Sequence, residues 1–550
     1  MIRITVSTMD GNKQSGEYNE GITPAELAGM MPLPYDVLSC RIDNENKRLD
    51  QPIYSDSKVE LLDMRDNYAN MSYQSSLVFL YVSAVHAVLK DKADVIIANS
   101  LSKGLFTTVG VKVDDDLVQN IETRMKQWVE QDIPFVEIAC SEKELEQCLS
   151  FDRHKERRRL LQSSDAVNSA RLYRFKDQED LFYMHLLPSS GYLKYFELRR
   201  YRTGILLRFP EQLHPDVIPP YKEQKLLYEA FSEETLWEHL LNIDFAADLN
   251  ESMRERCQEV IMVCEALHEK KITEIAGRIA EEKKRIILIA GPSSSGKTSF
   301  AKRLCVQLQV CGLKPLYLGT DDYFINRGDM RPDENGKVDF EALEAVDTDL
   351  FARQMNALLS GETVDLPVYD FIEGKKKYGT RITSIRPSQP IVIEGIHGLN
   401  PELTKNIADH EKFRIYISPL TSLNIDAHHR VPTTDARMLR RMIRDYRTRG
   451  RSASETINGW KDVRRGEEKW IFPYNDTADA FFNSSLIYEL AVIRKYAEPL
   501  LLEIGKEDAA YPEAQRMLDF IRFFAPVTDD TCIVSNSILR EFIGGSILVD

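Results

Sequence analysis

The stretch from Arg285 to Leu308 constrains this 550-residue chain more than any other. Arg285-Ile-Ile-Leu-Ile-Ala290 is an apolar run of the kind that forms a strand buried on both faces of a parallel sheet. Gly291-Pro-Ser-Ser-Ser-Gly296-Lys297-Thr298 follows at once, and then a helical apolar rhythm through Phe300, Leu304 and Leu308. Strand, GxxxxGK[ST] loop and helix in that order make a phosphate-binding loop. The glycines let backbone N–H groups turn inward around phosphate oxygens, and the new helix points its positive end at the same anion. The pattern assigns Gly291, Ser293, Ser294, Ser295, Gly296, Lys297, Thr298 and Ser299 to a nucleoside triphosphate. Lys297 is expected on its β- and γ-phosphates and the Thr298 hydroxyl on Mg²⁺.

Two further strand ends bring acids to this loop. Pro315-Leu-Tyr-Leu-Gly319 reads as a strand that runs into Thr320-Asp321-Asp322-Tyr323-Phe324. In such sheets the C-terminal strand ends lie beside the phosphate loop, so Asp321 is placed to accept a proton from an acceptor hydroxyl or to hold Mg²⁺. Pro390-Ile-Val-Ile-Glu394-Gly395-Ile396 puts Glu394 where an acid would face the metal. Seven of the fifteen residues from Arg437 to Arg451 are Arg, in a chain of net charge -15. Arg437, Arg441 and Arg444 fall on one helix face. Such a group repels itself unless an anion lies near, and guanidinium groups clamp phosphates bidentately. Gly450 is expected to hinge a lid over the triphosphate.

The alternation of strands and helices after residue 285 predicts an α/β domain over 285–505, with a parallel sheet and helices on both faces. The preceding chain divides into a small β unit (1–64), an α+β region (65–235) and a helical connector (236–284). A C-terminal helical extension (506–550) closes by packing. Ile2, Ile4 and Val6 alternate, Asp10-Gly11 marks a hairpin, and Thr23-Pro24-Ala25-Glu26-Leu27 a helix start. Helices are expected at Ser76–Lys90 and Asp116–Gln131, and strands across Tyr192–Phe209. The eight cysteines (40, 140, 148, 257, 264, 305, 311 and 532) contain no CxxC, so reduced, mostly buried thiols are expected. The absence of a leader-like block and of a spanning apolar run predicts a soluble, cytoplasmic protein. The acidic balance opposes general nucleic-acid binding. The stretch from His154 to Arg159 is the one basic feature favouring RNA, and a solvated helix face accounts for it equally.

These residues resemble a known family. Gly291–Thr298, Thr320-Asp321-Asp322-Tyr323-Phe324, Pro367-Val368-Tyr369-Asp370-Phe371, Ile393-Glu394-Gly395-Ile396 and Arg440-Arg441…Arg444-Asp445…Arg449-Gly450-Arg451 occur in the order and approximate spacing of uridine kinases. These belong to the uridine kinase/phosphoribulokinase group of phosphate-loop kinases. The resemblance implies ATP- and Mg²⁺-dependent phosphorylation of a nucleoside 5′-hydroxyl, with uridine or cytidine first. Asp321 would then be the general base, with Lys297 and Arg444 acting on the transferred group. Thr298 and Glu394 would hold Mg²⁺, and Arg444 and Arg449 the phosphates. Tyr323, Glu341, Tyr369, Phe371, Arg441 and Arg451 would face the acceptor. Two positions depart from the pattern: Glu341 stands for a ribose-binding Asp, and Gly374 for a base-reading His.

Residues 1–64 resemble the ubiquitin-like TGS domain of threonyl-tRNA synthetases, and 65–235 the second additional domain that follows it there. That domain's metal-binding HxxxH is absent from Tyr73–Phe79, and its later Cys from His185–Gly191, so His86 and His185 are expected to be structural. The remaining readings are a kinase of the same fold acting on another small alcohol or a sugar phosphate, favoured by Lys375–Lys377, and an RNA-associated NTPase switch. Homo-oligomerisation stays open.

Overall fold

The computed structural model describes residues 1–139, 155–165, 170–330, 339 and 341–549; Cys140, Cys148 and His154 lie outside them. Ile2, Ile4 and Val6 of β1 (Ile2–Thr8) point into a core, and the chain turns at Asp10-Gly11, with Gly11 at φ +80°, into β2 (Lys13–Tyr18). α1 (Pro24–Gly29) starts from Thr23, which forms a reciprocal capping box with Glu26. β3 (Ser39–Ile42), β4 (Glu45–Lys47) and β5 (Ser57–Leu62) complete a sheet of order β2-β1-β5-β3-β4 in which β1 and β5 run parallel.

α2 (Asn67–Leu89) is longer than the expected Ser76–Lys90, because the Asp66 carboxylate caps it by accepting the N–H groups of Tyr68 and Ala69. It is long and apolar enough to cross a membrane, but 67% of its most apolar window is buried inside the fold. Phe79 packs there against Phe135, Phe175 and Phe182. The region continues with β6 (Ile96–Leu101), β7 (Gly104–Thr108), α3 (Asp115–Glu130), β8 (Val136–Ile138), α4 (Lys155–Ser163), β9 (Arg171–Phe175), β10 (Gln178–Phe182), β11 (Glu197–Tyr201) and β12 (Gly204–Arg208). Its strands form two antiparallel sheets, β10-β9-β8 and β11-β12-β7-β6. Three helices stand where one connector is expected: α5 (Lys225–Leu241), α6 (Ala246–Glu255) and α7 (Cys257–Glu281). The expected break at residue 235 falls inside α5.

From β13 (Ile286–Ala290) onward the chain builds a five-stranded sheet. Every residue of β13 is buried, as its composition requires of a central strand. α8 (Lys297–Val310) and β14 (Leu316–Gly319) come next, then α9 (Thr348–Leu359). Two small hairpins follow, pairing β15 (Val364–Asp365) with β18 (Ile382–Thr383) and β16 (Val368–Asp370) with β17 (Lys375–Lys377). β19 (Ile391–Glu394), β20 (Lys412–Ser418), the hairpin β21 (Asn424–Asp426) and β22 (His429–Arg430), α10 (Thr433–Arg449), α11 (Ala453–Trp470) and β23 (Ala480–Asn483) complete the domain. The sheet order is β14-β19-β13-β20-β23, parallel throughout. α12 (Glu489–Leu502), α13 (Tyr511–Ile521) and α14 (Arg540–Ile543) end the chain.

The two halves meet through buried polar contacts. Arg157 of α4, 1% exposed, pairs with Asp180 and Asp426; His428 also bonds Asp180, and Tyr183 donates to Asp426. Arg159 pairs with Asp248 and Glu251. Arg157 and Arg159 are therefore ligands of carboxylates within the fold, while Lys155 and Arg158 lie exposed on the helix, as expected of a solvated face. The thiols also differ from expectation: Cys40 and Cys264 are buried, Cys257, Cys305 and Cys532 half-buried, and Cys311 exposed; all six are free.

Candidate nucleotide and acceptor site

The loop from Gly291 to Thr298 leaves the C-terminal end of β13 and enters α8. Two residues take left-handed conformations, Ser294 at φ +60° and Gly296 at φ +81°. A Cβ at Gly291 would come 2.0 Å from the Ile417 carbonyl oxygen, so only glycine fits there. Three successive carbonyls of the loop are held from outside. Arg437 Nε donates to Ser293 O at 3.0 Å, Arg440 Nη1 to Ser294 O at 3.4 Å, and Ser484 Oγ to Ser295 O at 2.6 Å. A peptide plane whose oxygen is fixed outward presents its N–H on the opposite side. This anchoring turns the N–H groups of Ser294 and Gly296 away from those contacts, while the Ser295 N–H closes a turn on Pro292 O at 3.3 Å.

Two of the arginines expected to meet an external anion are thus internal. Arg437 is buried in an ion pair with Glu467, and Arg440 in one with Glu489. Asp445 takes up more of the cluster's charge, facing Arg441 at 3.3 Å, Arg444 at 2.9 Å and Arg449 at 3.4 Å. Arg441, Arg444, Arg449 and Arg451 remain on the open side of α10; Arg441 also donates to Ser293 Oγ at 2.6 Å. Gly450, at φ +63°, ends α10, and Ser452 caps α11 in a capping box with Glu455. The expected lid is a helix–turn–helix whose first helix is welded to the loop through its buried face.

Lys297 folds back on the loop, donating to Gly291 O at 3.0 Å and Pro292 O at 3.2 Å. Thr298 Oγ1 donates to Glu394 Oε1 at 3.0 Å, while Glu394 Oε2 is buried with no hydrogen-bond partner. Burial pushes the Glu394 carboxyl up to about 7, against the nearby Lys297 ammonium, with Asp321 and Glu541 adding repulsion. A hydroxyl beside an orphaned carboxylate oxygen at a phosphate site is a donor set that fits Mg²⁺.

Asp321 lies at the end of β14, open to solvent by area yet closely surrounded by protein. That crowding raises its carboxyl above the ordinary range, with Lys297 and Arg449 opposing and Asp322 reinforcing the shift. Asp322 holds structure: it accepts Arg381 Nη1 at 2.9 Å and the Tyr369 N–H at 3.3 Å. Glu341 also joins the group. Crowding raises its carboxyl, and its electrostatic neighbours are Lys297, Glu467, Arg441 and Asp321. His397 is buried near Trp470 and the backbone of Glu341 and Ala342; burial lowers it to about 4.

The acceptor side corrects one sequence expectation. Tyr323 is 1% exposed, packs on Phe351 and donates its hydroxyl to Gln354. It belongs to the core. Phe324 instead clusters with Tyr369 and Phe371, with ring centroids 5.6 and 6.2 Å away. Gly374 has φ +69°, and a Cβ there would lie 2.8 Å from Arg327 Cβ. Arg327 donates to Phe371 O at 2.7 Å, so a guanidinium fills the space beside position 374. Of the three lysines that would favour a phosphorylated acceptor two are engaged, Lys376 with Asp347 and Lys377 with Asp370 and Glu373, while Lys375 is exposed. Sequence reasoning missed Phe324, Arg327, Glu467 and Glu541. Only Phe324, adjacent to an assigned aromatic, left a signal in the sequence.

The C-terminal part of the chain is similar in sequence to known proteins. The profile of the Phosphoribulokinase / Uridine kinase family matches residues 286–486. The uridine kinase of Ligilactobacillus salivarius is 30% identical over 200 residues, 36% of this chain and 84% of that protein. The uridine kinase of Borreliella burgdorferi is 28% identical over 217 residues, 38% of this chain and 94% of that protein. A solved structure described as a possible uridine kinase from Bacillus stearothermophilus is 20% identical, covers 36% of this chain and 89% of that one, and superposes with a TM-score of 0.24. With the anchored phosphate loop, the acids at two strand ends and the arginine helix in place, residues 286–486 make this chain a member of the phosphoribulokinase/uridine kinase family.

Proposed function

We propose that the chain transfers the γ-phosphoryl group of ATP to the 5′-hydroxyl of a nucleoside, uridine or cytidine first. This reading is supported by the placement of Asp321 just past β14 and of Glu394 at the end of β19, strand ends on the same edge of the parallel sheet as the phosphate loop that follows β13. The acceptor hydroxyl oxygen attacks the γ-phosphorus in line, its proton passes to Asp321, and the bond from the γ-phosphorus to the β–γ bridging oxygen breaks to release ADP. Loop amides and Lys297 hold the triphosphate. Arg441, Arg444 and Arg449 face the charge spread over the transferred group. Mg²⁺, held by Thr298 and Glu394, would neutralise charge on the β- and γ-oxygens. Phe371, which is exposed, and Phe324 offer aromatic faces to a base, with the buried Tyr369 packed behind them, and Glu341 offers a carboxylate to a ribose.

The occupied state of Lys376 and Lys377 weighs against a phosphorylated acceptor, and the burial of Arg157 against RNA binding through α4. In the first 64 residues, parallel β1 and β5 beside a capped helix support the TGS-like reading, with a synthetase-like region after it. The test is incubation with ATP, Mg²⁺ and a panel of nucleosides, sugar phosphates and RNA, following ADP and phosphorylated product. Release of a nucleoside monophosphate supports the assignment; turnover confined to another acceptor removes it.

A further inference from the structure

The C-terminal segment lies outside the residues matched by the family and reaches the nucleotide loop. A Cβ on Gly296 would come 2.4 Å from Ile538 Cγ2. Ile538 and Phe542 are both fully buried, in the core that contains Phe300 and Leu304 of α8. Phe542 lies under the Arg440 guanidinium at 4.9 Å, its carbonyl accepts Arg447 Nη1 at 2.7 Å, and the Leu548 carbonyl accepts Lys302. These contacts fix the short helix Arg540–Ile543 between α8 and α10. They place the Glu541 carboxylate at the N-terminus of α8, where Glu541 Oε2 accepts the Ser299 hydroxyl at 2.7 Å and the Ser299 N–H at 3.3 Å.

That N–H is one of the first-turn donors a helix leaves free, and in a phosphate loop these are the donors offered to phosphate oxygens. The N-cap residue is Gly296, which has no side chain to serve them. Among the described residues no lysine or arginine pairs with Glu541; its polar contacts are with Ser299. A carboxylate held by the donors of an anion site occupies the position of an anion.

We propose that Glu541 is an internal competitor for the innermost phosphate of the nucleotide, and that nucleotide binding swings its side chain off Ser299 while Ile538 and Phe542 stay anchored. Glu541 then sets the affinity of the site for phosphorylated nucleotides, and by linkage any event that draws α14 away from α8 tightens the site. The inference rests on nucleotide binding by this loop and is independent of which acceptor is used.

The test is the affinity of the full chain for ATP and ADP, by calorimetry, in the wild type and in Glu541→Gln and Glu541→Ala. Removing the charge is expected to tighten both nucleotides about three- to tenfold. Unchanged or weakened affinity overturns the proposal, since it makes Glu541 a support of the loop and not a competitor. The wild-type chain crystallised with ADP gives a second measurement that needs no variant. The Glu541 carboxylate is expected away from Ser299, and a carboxylate still bonded to the Ser299 N–H beside bound ADP overturns the proposal. If no nucleotide binds to wild type or variants, the reading of the site itself fails and the inference with it. A nucleoside panel that yields no product while ATP still binds leaves this inference standing.

Discussion

Arg437 and Glu467 form a buried ion pair that grips one peptide residue from both sides. Arg437 Nε donates to Ser293 O at 3.0 Å, and Glu467 Oε1 accepts the Ser293 N–H at 3.1 Å. Both side chains are about 2% exposed. Arg464 adds a second bond to Glu467 at 3.0 Å. The pair connects α10 and α11 to the phosphate loop.

Glu467→Gln leaves the buried Arg437 charge without its counter-ion. Breaking one side of a buried pair costs about 3–5 kcal/mol, whereas replacing both members by apolar groups is often near neutral. Glu467→Gln is therefore expected to lower the urea midpoint sharply and to weaken ATP binding, and Arg437→Met with Glu467→Leu to recover stability but not ATP affinity. Equal urea midpoints for Glu467→Gln and the wild type would remove the pair from the loop's support.

Asp321→Asn is expected to retain ATP binding and to lose transfer by roughly 10²–10⁴-fold, the range for a positioned general base. The wild-type rate should climb with pH along a limb centred above the ordinary aspartate value of about 3.9, because crowding raises this carboxyl. Single-turnover rates across pH check both points. Turnover near the wild-type level in the Asn variant would sink the assignment.

The phosphate loop, its strand and its helix were legible because they are local. Burial on both faces dictates Ile286–Ala290, and the loop chemistry is written in eight consecutive residues. The contacts that shape the loop were not legible, since Ser293 meets Glu467 across 174 residues and Ser299 meets Glu541 across 242. Nothing in a run of arginines separates those that face a ligand from those that face Glu467 or Glu489. Arg157 shows the same limit, as its partners Asp180 and Asp426 are remote in sequence. Tyr323 enters as an acceptor residue through the resemblance alone, and a matched position does not say which of two adjacent aromatics, one in a 3₁₀ turn and one just after it, packs on Phe351.

The pH dependence of stability has a defined source in α5. Glu238 is 4% exposed and accepts the Ser422 hydroxyl at 2.6 Å. Burial pushes its carboxyl up to about 8, with Ser422 opposing and Asp244 adding to the rise. The folded chain therefore binds a proton here that the unfolded chain, with a value near 4.3, gives up. Stability from this group is fully present below about pH 4 and is lost as pH rises through about 8, a change on the order of a few kcal/mol. Glu238→Gln keeps the shape and removes the titration. Denaturant midpoints should be similar for the two chains at about pH 4, the lower end of the window, and the variant should be the more stable at about pH 8.5, beyond its upper end. A difference between them that does not change with pH would refute this account.

Arg327 is the last prediction, and it bears on the choice of acceptor. Its guanidinium fills the space a side chain at Gly374 would need and is held by the Phe371 carbonyl, beside the aromatic cluster of Phe324, Tyr369 and Phe371. A guanidinium offers donors only, so it suits acceptor atoms such as the carbonyl oxygens of a pyrimidine and the N3 of cytosine, but not the N3–H of uracil. Arg327→Met removes those donors while keeping a flexible stem of similar reach. Loss of a hydrogen bond from a charged group costs about 1.5–3 kcal/mol, so kcat/KM for the preferred nucleoside should fall by roughly 10–100-fold. KM for ATP should hold, because the bonds of Arg327 among the described residues go to Gly374 and Phe371. The ratio of rates for uridine and cytidine should also move toward one, since discrimination by polar contacts disappears with the contact. An Arg327→Met chain with unchanged acceptor kinetics would show that the guanidinium only braces the hairpin at Gly374.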